Sequence, residues 1–490
     1  MIKQKHCLYI ISFLEGVSVM TAEIGGAKLL APYYGSSLNV WSTVMAITLG
    51  GLAMGYFVGG KLSVKNQKNN LLKFILLFAS VALVIIPFAP FLFIPIAKSC
   101  SLIIAVIISA FILLFIPMAL FGAVSPLIIS ILSNNNNDDS GESSGKIYAI
   151  STVGGIVATF LCALILIPFV GIKNTFWLCA LLLALSSLLL HQIKKTIVEI
   201  VICFSLFILL ISFNKNTLPE NYLTEQDGMF GKLAVKQDKS VTDSTIVIRK
   251  LLINNIVQTE MNIATKQSAS DYINLLKRNL INFPKQGNVL VLGLGGGLVA
   301  NLFHENKYQV DGVELDNRII EVAKSYFYLN PLVKTFCDDA RHYMNNCTKN
   351  YSIVLFDLFQ AEEQPSHILT KESLVKLKSI ISLRGIVLIN WHGYLLGNKG
   401  EGTQCLLNTL KDAGFYYKIC ETNSQEDYRN LIIVASPYPI KNNFTNQIAT
   451  PLITSTVINT DDKLVLEYLN TNANQCWRNN YLQNDILNRD

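Results

Sequence analysis

The stretch from Asn288 to Asn301 reads Asn-Val-Leu-Val-Leu-Gly-Leu-Gly-Gly-Gly-Leu-Val-Ala-Asn, and it decides the fold of the second half of the chain. Its four apolar residues, Val289 to Leu292, predict a buried parallel strand, and an apolar helix is predicted to begin near Leu298. The glycines between them predict a tight turn whose backbone N–H groups can approach a nucleotide closely. The alternative is a turn whose glycines only permit close packing of strand and helix.

An acidic residue follows this turn at the distance that a nucleotide site requires. Glu314 ends a second predicted strand, and a carboxylate about 20 residues after such a turn hydrogen-bonds the ribose hydroxyls of a nucleotide. The turn residues Gly293, Gly295 and Gly297 are therefore predicted to bind a nucleoside together with Glu314.

From Asn288 onward, predicted strands alternate with predicted helices. The strands fall near 289–292, 309–314, 332–336, 351–356, 385–390, 415–420 and 430–435. This alternation predicts a mostly parallel, doubly wound α/β sheet, in which ligands bind outside the carboxyl ends of the strands. Acids also end two further strands, at Asp338-Asp339 and at Asp357, which predicts a binding edge. His392, at the end of another strand, is a weaker candidate for a general base.

The region before this sheet has a different pattern. Short alternating segments between about 231 and 262 predict strands, and Asn254-Asn255 tolerates the positive φ of a two-residue hairpin. Residues 268–281 have helical periodicity. Residues 214–285 are therefore predicted to be a linker and a small β-domain, residues 286–445 a Rossmann-like domain, and residues 446–490 a polar C-terminal segment.

The first 213 residues are far more apolar than the rest. The whole chain is 51% hydrophobic and only 15% charged, with a mean hydropathy of +0.39, which is unusual for a soluble protein. Apolar runs of spanning length lie at about 8–31, 40–60, 72–97, 101–132, 147–169, 173–191 and 196–213. They predict a helical bundle of six or seven passes in a lipid bilayer. The run at 101–132 is too long for one straight span, and Pro117 and Pro126 are predicted to kink or end it.

Two acids, Glu15 and Glu23, lie in the first apolar run, and such charges could interrupt the span. They could line a polar path or small-molecule site among the helices, or make a buried Glu–Lys or Glu–hydroxyl contact that fixes packing, or lie at an interfacial end that is already hydrated. In the second run, Gly51, Gly55 and Gly59 recur every four residues, which predicts close packing of helices.

Charge and cysteine content argue against two classes of function. The net charge of +6 is spread out with no basic stripe, so no nucleic acid partner is predicted. The ten cysteines show neither CxxC nor Cys/His spacing, which predicts no metal site and a reducing compartment.

At this point the residues are similar to a known family. The second half resembles the spermidine synthases, or polyamine aminopropyltransferases, in which a small β-domain precedes a methyltransferase-like Rossmann domain that binds decarboxylated S-adenosylmethionine. The apolar N-terminal runs resemble the membrane region of membrane-fused members. The segments that carry the resemblance are 252–258, 289–297, 313–316, 338–341, 356–359 with Pro365, and 460–468.

The resemblance implies roles for individual residues. Asp357 is the implied catalytic residue, because it matches the family's aspartate that orients and deprotonates the attacking amine. Asp339 matches the aspartate that contacts adenine. The cofactor-binding residues that the resemblance implies are Gln258, Gly293, Gly295, Gly297, Glu314, Asp339 and Pro365.

Two departures concern the amine end of the site. Gly296 stands where the family has an acid within the glycine turn, and residues 265–272 replace its Asp-Glu and Tyr-His-Glu segments. A diamine carries two positive charges, so a site with fewer carboxylates is expected to attract it less. The acceptor, and the choice between decarboxylated and intact S-adenosylmethionine, therefore stay open.

The predicted function is membrane-anchored transfer of an aminopropyl or related alkyl group from decarboxylated S-adenosylmethionine to a small amine. The alternatives are an S-adenosylmethionine-dependent methyltransferase on the same scaffold, or a transporter or sensor with a nucleoside-binding regulatory domain. A multi-pass protein of the cell's inner (plasma) membrane is predicted, and a homo-oligomer is left open. Lysine clusters combined with seven spans would place the second half outside the cell. Adenosyl cofactors are made in the cytoplasm, however, so a cytoplasmic domain is predicted.

Overall fold

The computed structural model describes residues 2–34, 38–64, 68–93, 95–96, 102–136, 140–190, 218, 220–240, 243, 245–358, 365–451 and 455–477. The chain divides into two compact units, Met1–Pro219 with Gln226–Lys232, and Glu220–Glu225 with Leu233–Asp490. The predicted run at 196–213 lies outside the described residues.

The first unit is helical. Its α-helices are Ile2–Tyr34, Leu38–Leu62, Lys68–Ile85, Leu102–Ala110, Ile116–Asn136, Ser140–Leu161, Ile167–Val170 and Ile172–Ser187. Five stretches of the described chain are long and apolar enough to cross a membrane, namely Lys5–Tyr34, Val40–Leu62, Lys68–Ala89, Ile103–Ser133 and Gly141–Val170. The sixth predicted run forms the shorter apolar helix Ile172–Ser187.

Pro117, Pro126 and Pro168 do not end the long helices in which they lie. A π-helical segment, Phe111–Phe115, precedes Pro117, and the chain then stays helical through Pro126 to Asn136. A second π-helical segment, Cys162–Leu166, precedes Pro168 in the same way. A proline lacks an N–H and its ring crowds the carbonyl four residues earlier, and a π-turn widens the helix at that point. Of the two predicted alternatives, a kink or an end of the helix, the structure therefore excludes an end at Pro117 and at Pro126.

The first helix is also continuous, from Ile2 to Tyr34, so the expected interruption by its charges is wrong. Glu15 is 2% exposed, and the Ser151 hydroxyl donates a hydrogen bond to its Oε2 at 2.7 Å. For Glu15 the structure thus shows the packing contact, because an interhelical hydroxyl satisfies the carboxyl group inside the bundle.

The glycines of the second helix pack as predicted. A Cβ atom at Gly55 would lie 2.3 Å from the carbonyl oxygen of Ala119, and one at Gly59 would lie 2.7 Å from Cα of Ala123. Only glycine allows the two helix backbones to approach this closely.

The second unit begins with a four-stranded sheet. Its strands are β1 (Tyr222–Gln226), β2 (Leu233–Lys239), β3 (Val247–Ile253) and β4 (Ile256–Asn262), in the order β1-β2-β3-β4. The predicted hairpin joins β3 to β4, and Asn254 and Asn255 have φ of 50° and 65°. β1 falls in the segment predicted to be a polar linker.

The larger sheet has eight strands. They are β5 (Asn288–Leu292), β6 (Gln309–Glu314), β7 (Lys334–Cys337), β8 (Tyr351–Phe356), β9 (Ile381–His392), β10 (Tyr416–Glu421), β11 (Asn430–Ser436) and β12 (Gln447–Ile448). The α-helices are Asp271–Asn279, Leu298–Glu305, Asn317–Tyr326, Ala340–Asn346, Lys371–Leu377, Gly397–Asp412 and Leu466–Leu469. The strand order is β12-β10-β11-β9-β8-β5-β6-β7.

The connections of this sheet locate a ligand site. The pairs β5–β6, β6–β7, β5–β8 and β8–β9 are parallel, which confirms the predicted α/β fold, whereas β9–β11 and β10–β11 are antiparallel. The strand order reverses between β5 and β8, and ligands of doubly wound sheets bind at the carboxyl ends of strands at such a reversal. Gly293 follows β5 at this edge, and Asp357 follows β8.

Candidate active site

The turn after β5 has a backbone that only glycine adopts without strain. Gly293, Gly295 and Gly297 have φ of +85°, +50° and +76°. A Cβ atom at Gly293 would lie 2.1 Å from the carbonyl oxygen of Asp357. Cβ atoms at Gly295 and Gly297 would likewise lie 3.0 Å from Thr259 Oγ1 and 2.6 Å from Leu329 Cδ1. The missing side chains therefore let the turn pack closely against its neighbours.

Glu314 lies beside this turn, at the end of β6. Its Oε2 accepts a hydrogen bond from Leu294 N–H at 3.0 Å, and its Oε1 accepts one from Asp316 N–H at 3.1 Å. Burial raises the pKa of Glu314, and these backbone N–H groups oppose the shift. The carboxylate is therefore held in one orientation between the glycine turn and the next helix, with lone pairs to spare.

Asp339 caps the helix Ala340–Asn346. Its Oδ1 accepts hydrogen bonds from the backbone N–H of Arg341 at 2.9 Å and of His342 at 3.0 Å. Its Oδ2 lies 3.4 Å from Nε2 of His367. Burial raises the pKa of Asp339, but the His342 N–H and His367 outweigh it, so the pKa falls below its ordinary value. Oδ1 of Asp339 thus caps the helix, and Oδ2 faces the exposed side chain of His367.

Asp357 is held by two neutral donors. The Tyr272 hydroxyl donates to its Oδ2 at 2.7 Å, and Asn390 Nδ2 donates to its Oδ1 at 2.8 Å. Burial raises the pKa of Asp357, and the hydrogen bonds from Asn390 and Tyr272 oppose the shift. Burial, followed by the charge of Asp357, raises the pKa of Tyr272 well above its usual range, so Tyr272 stays a neutral donor.

A polar cavity of about 210 Å³ opens at Asp357. Its lining consists of Val257, Gln258, Thr259, Glu260, Ala269, Ser270, Asp271, Tyr272, Asp357, Asn390, Thr422, Asn430 and Trp477. Three of these residues carry carboxylates, and none of the described lining residues is Lys or Arg. Lys250 offsets one of the carboxylates, with its Nζ 3.4 Å from Glu260. The expected loss of acids from the amine end is therefore only partial, because Glu260 on β4 and Asp271 within the segment 265–272 also line the cavity.

Packing explains why Gly296 stands where the family has an acid. A Cβ atom there would lie 2.6 Å from Cγ2 of Thr259 and 3.0 Å from the Phe327 ring. The Gly296 N–H also donates to Thr259 Oγ1 at 2.8 Å. Thr259 on β4 thus fills the space into which an acid at position 296 would project.

Of the remaining predicted site residues, Gln258 lines the cavity, and Pro365 and His392 lie outside its described lining. Gln258 lines the cavity, where its Nε2 also donates to the carbonyl of Ile256 at 3.3 Å. Pro365 precedes the 3₁₀ turn Ser366–Ile368 and does not belong to the described lining. His392 is 1% exposed, its ring packs 5.0 Å from that of Trp477, and it does not line the cavity. The structure therefore gives no support to His392 as a general base.

Two residues that contact Asp357 were missed from the sequence. Tyr272 lies near the start of the predicted helix 268–281, in the segment that replaces the family's Tyr-His-Glu, and that position was the available signal. Asn390 is a polar residue, 4% exposed, inside the apolar strand β9. A buried amide in such a run needs a partner, which was a second signal.

A hydrogen-bonded ion pair joins the segment 460–468 to the helix that Asp339 caps. Asp461 accepts hydrogen bonds from Nη1 and Nη2 of Arg341, both at 2.6 Å. Arg341 follows Asp339 in the capped helix, so this fork-like pair stabilises the loop that carries Asp339. Among the residues that the structure describes, no group of three or more His, Cys, Asp or Glu side chains is arranged to hold a metal ion.

The glycine turn, the carboxylate ending β6 and their position at the strand-order reversal define a Rossmann-type α/β domain with a candidate nucleoside site. Residues 275–397 match the family described as the spermine/spermidine synthase domain. The C-terminal part of the chain is thus a spermine/spermidine synthase domain.

Three relatives illustrate the similarity. A polyamine aminopropyltransferase of Vibrio vulnificus is 33% identical over 128 residues, covering 24% of this chain and 42% of that protein. Polyamine aminopropyltransferase 2 of Aquifex aeolicus is 23% identical over 430 residues, 82% of each protein. An eEF1A lysine and N-terminal methyltransferase homolog of Drosophila pseudoobscura pseudoobscura is 26% identical over 164 residues, covering 31% of this chain and 24% of that protein. The chain therefore matches less than half the length of the first and third relatives.

Among solved structures, a probable spermidine synthase from Corynebacterium glutamicum aligns with a TM-score of 0.38 and 16% identity. The alignment covers 47% of this chain and 85% of that protein.

Proposed function

We propose that this protein transfers an aminopropyl group from decarboxylated S-adenosylmethionine to a small amine. The observation that carries the proposal is Asp357, which Tyr272 and Asn390 hold in the wall of a cavity. Two lining residues, Asp357 and Thr259, also contact the glycine turn. A fixed carboxylate at the junction of a nucleoside site and a polar cavity suits the deprotonation and orientation of an amine.

The nucleoside part of the co-substrate would lie along the edge formed by the turn after β5 and the end of β6. The Glu314 carboxylate, fixed beside the glycine turn by two backbone N–H groups, fits two ribose hydroxyls. In this proposal Gln258, Gly295, Gly297, Asp339 and Pro365 complete the contacts, with Asp339 directed to adenine.

The charges of the cavity favour an amine. Carboxylates of Glu260, Asp271 and Asp357 line it, and its described lining contains no Lys or Arg. Such a wall attracts an ammonium group and offers no cation to the carboxylate of intact S-adenosylmethionine. This charge balance supports the decarboxylated co-substrate.

In this reaction the protein mainly has to position the amine and accept one proton. The sulfonium supplies a good leaving group, so a C–N bond to the amine forms as the C–S bond breaks and a neutral thioether departs. Asp357 takes the proton that an ammonium acceptor must lose before its nitrogen lone pair is free. Holding that nitrogen about 3 Å from the reacting carbon, and in line, supplies most of the acceleration.

The apolar helices support a membrane-anchored enzyme. We place the bundle, residues 1–213, in the cell's inner membrane and the catalytic part in the cytoplasm, where adenosyl co-substrates are made. In this proposal residues 214–285 form the linker and β-domain, residues 286–445 the Rossmann-like domain and residues 446–490 the C-terminal segment. A homo-oligomer is compatible with this arrangement.

Methyl transfer is the second candidate, because one relative is a methyltransferase homolog. The test incubates the full-length protein in detergent with decarboxylated or intact S-adenosylmethionine and a panel of mono-, di- and polyamines, and identifies products by mass spectrometry. Aminopropylated amine with the decarboxylated form supports the proposal. A methylated product with the intact form alone would replace it with methyl transfer, and tight binding of either form without any product would favour a sensor.

A further inference from the structure

We propose that Asn430 is a positioning residue that fixes Asp357 through Asn390. The inference rests on the proposed function of Asp357 as the group that accepts the proton of the amine. Asn430 belongs to β11, and Asn390 and Asp357 belong to β9 and to the end of β8, so the three side chains cross adjacent strands of one sheet.

The three side chains form a continuous chain of hydrogen bonds. Asn430 Nδ2 donates to Asn390 Oδ1 at 2.9 Å, and Asn390 Nδ2 donates to Asp357 Oδ1 at 2.8 Å. In the antiparallel β9–β11 pair, Asn430 lies opposite His392 and Asn390 lies opposite Ile432. Asn430 and Asn390 are therefore diagonal neighbours on one face, a separation that two amide side chains can bridge.

The orientation of the Asn390 carboxamide decides whether its NH₂ group or its carbonyl oxygen faces Asp357. A carboxamide can rotate end for end, which exchanges its donor and acceptor. If Asn390 rotated, its carbonyl would face the Asp357 carboxylate and its NH₂ would face the NH₂ of Asn430. Both contacts would be repulsive, so the donor on Asn430 holds Asn390 in the orientation that donates to Asp357.

Asn430 is itself anchored at the cavity. Its backbone N–H donates to Thr422 Oγ1 at 2.9 Å, and both residues line the cavity beside Asp357. A side chain that is fixed at one end by the sheet and at the other by Asn390 can transmit a defined orientation to the carboxylate.

The titratable groups that face Asp357 do not replace this donor. Tyr272 donates to the other carboxyl oxygen, Oδ2. Glu260 and Asp271 are acids in the cavity wall, and His392 on β9 does not line the cavity but packs against the lining residue Trp477. Loss of the Asn390 donor would thus destabilise the ionised form of Asp357, raise its pKa and move the acidic limb of activity to higher pH.

The test compares variants of the full-length protein. Asn430→Asp keeps the size of the side chain but can only accept, so Asn390 must turn its NH₂ to it and its carbonyl to Asp357. Asn430→Ala removes the donor without adding charge. The matched control is Asn423→Asp, the same chemical change at an exposed position. The side-chain oxygen of Asn423 accepts the Gln425 N–H at 3.2 Å and the Ser424 hydroxyl at 3.5 Å, and an aspartate can accept both.

We expect both Asn430 variants to lose about tenfold or more in kcat, with KM for the adenosyl co-substrate within about twofold of wild type. The acidic limb of their pH–rate profiles should move up by about half a pH unit or more. Asn423→Asp should behave as wild type. A changed adenosyl KM with an unmoved pH profile would overturn the proposal, because it would make Asn430 a binding residue.

A readout that does not need turnover separates this proposal from the proposed function. Infrared difference titration of the full-length protein, with Asp357→Asn as the blank, reports the protonation of the Asp357 carboxyl group. Protonation at higher pH in Asn430→Ala than in wild type supports the relay, even if no amine is aminopropylated and the proposed function fails. Identical titrations in wild type and both Asn430 variants would refute the relay, even if aminopropyl transfer is found.

Discussion

The contact between Gly296 and Thr259 predicts a pair of compensating substitutions. Gly296 has no positive φ, so alanine at this position meets only a steric obstacle. Its Cβ would lie 2.6 Å from Cγ2 of Thr259 and 3.0 Å from the Phe327 ring. Overpacking of this kind costs about 1–3 kcal/mol in free energy of unfolding. Thr259→Ser removes the clashing methyl group and keeps the hydroxyl that accepts the Gly296 N–H.

We therefore expect Gly296→Ala to destabilise the protein, and Gly296→Ala with Thr259→Ser to recover part of the loss, because the Phe327 contact remains. Thr259→Ser alone should cost about 1 kcal/mol, the transfer free energy of one buried methyl group. Thermal unfolding of the full-length variants, followed by circular dichroism, measures the double-mutant coupling. Additive effects, or a neutral Gly296→Ala, would refute the explanation for the missing acid at this position.

Three further predictions concern the co-substrate, the folding unit and the membrane. Glu314→Ala should weaken adenosyl-ligand binding by about 1–3 kcal/mol, the cost of an unmet hydrogen bond to a charged group, and calorimetry that shows unchanged affinity in a folded variant would rule out its ribose contact. A fragment that begins near residue 220 should be soluble and melt cooperatively, and aggregation under all conditions would mean that the domain boundary is misplaced. Cys337 is exposed and should resist a membrane-impermeant thiol reagent in intact cells. Labelling of Cys337 before lysis would place the catalytic part outside the cytoplasm.

Local sequence patterns predicted the framework of the C-terminal part. The bounds of β6 and β8 match their predicted ranges. In β8 the reason is the apolar run 353–356, which marks a buried parallel strand. The glycine turn and the hairpin at Asn254-Asn255 were also predictable, because positive φ restricts the residues that such turns accept.

Contacts between distant segments were not predictable in this way. Tyr272 reaches Asp357 across 85 positions of the chain, and Asn390 reaches it across 33. Hydrophobic periodicity does not predict such contacts, because they depend on how the sheet and the helix Asp271–Asn279 pack together. The replacement of an acid by Gly296 likewise has a visible reason only when Thr259 is seen against it.

In the first unit, the possible helix ends at prolines and the possible interruption of the first helix by its charges do not occur, for a related reason. Pro117 is a helix breaker by local rules, but a π-helical turn accommodates it, and Glu15 is costly in an apolar helix until Ser151 supplies a hydroxyl. The compensating feature lies in backbone geometry or on another helix, and single-segment patterns do not contain it.

The most direct test of the central claim is the pH–rate profile of Asp357→Asn beside that of the wild type. Both full-length proteins would receive decarboxylated S-adenosylmethionine and the best amine acceptor, with initial rates measured between about pH 5 and pH 9. Because the folded pKa of Asp357 is raised, wild-type kcat/KM should fall as pH decreases through a value above the ordinary aspartate range. We predict that Asp357→Asn binds the co-substrate normally, turns over about 100-fold or more slowly and loses this acidic limb. Wild-type turnover by Asp357→Asn across the whole pH range would contradict the account.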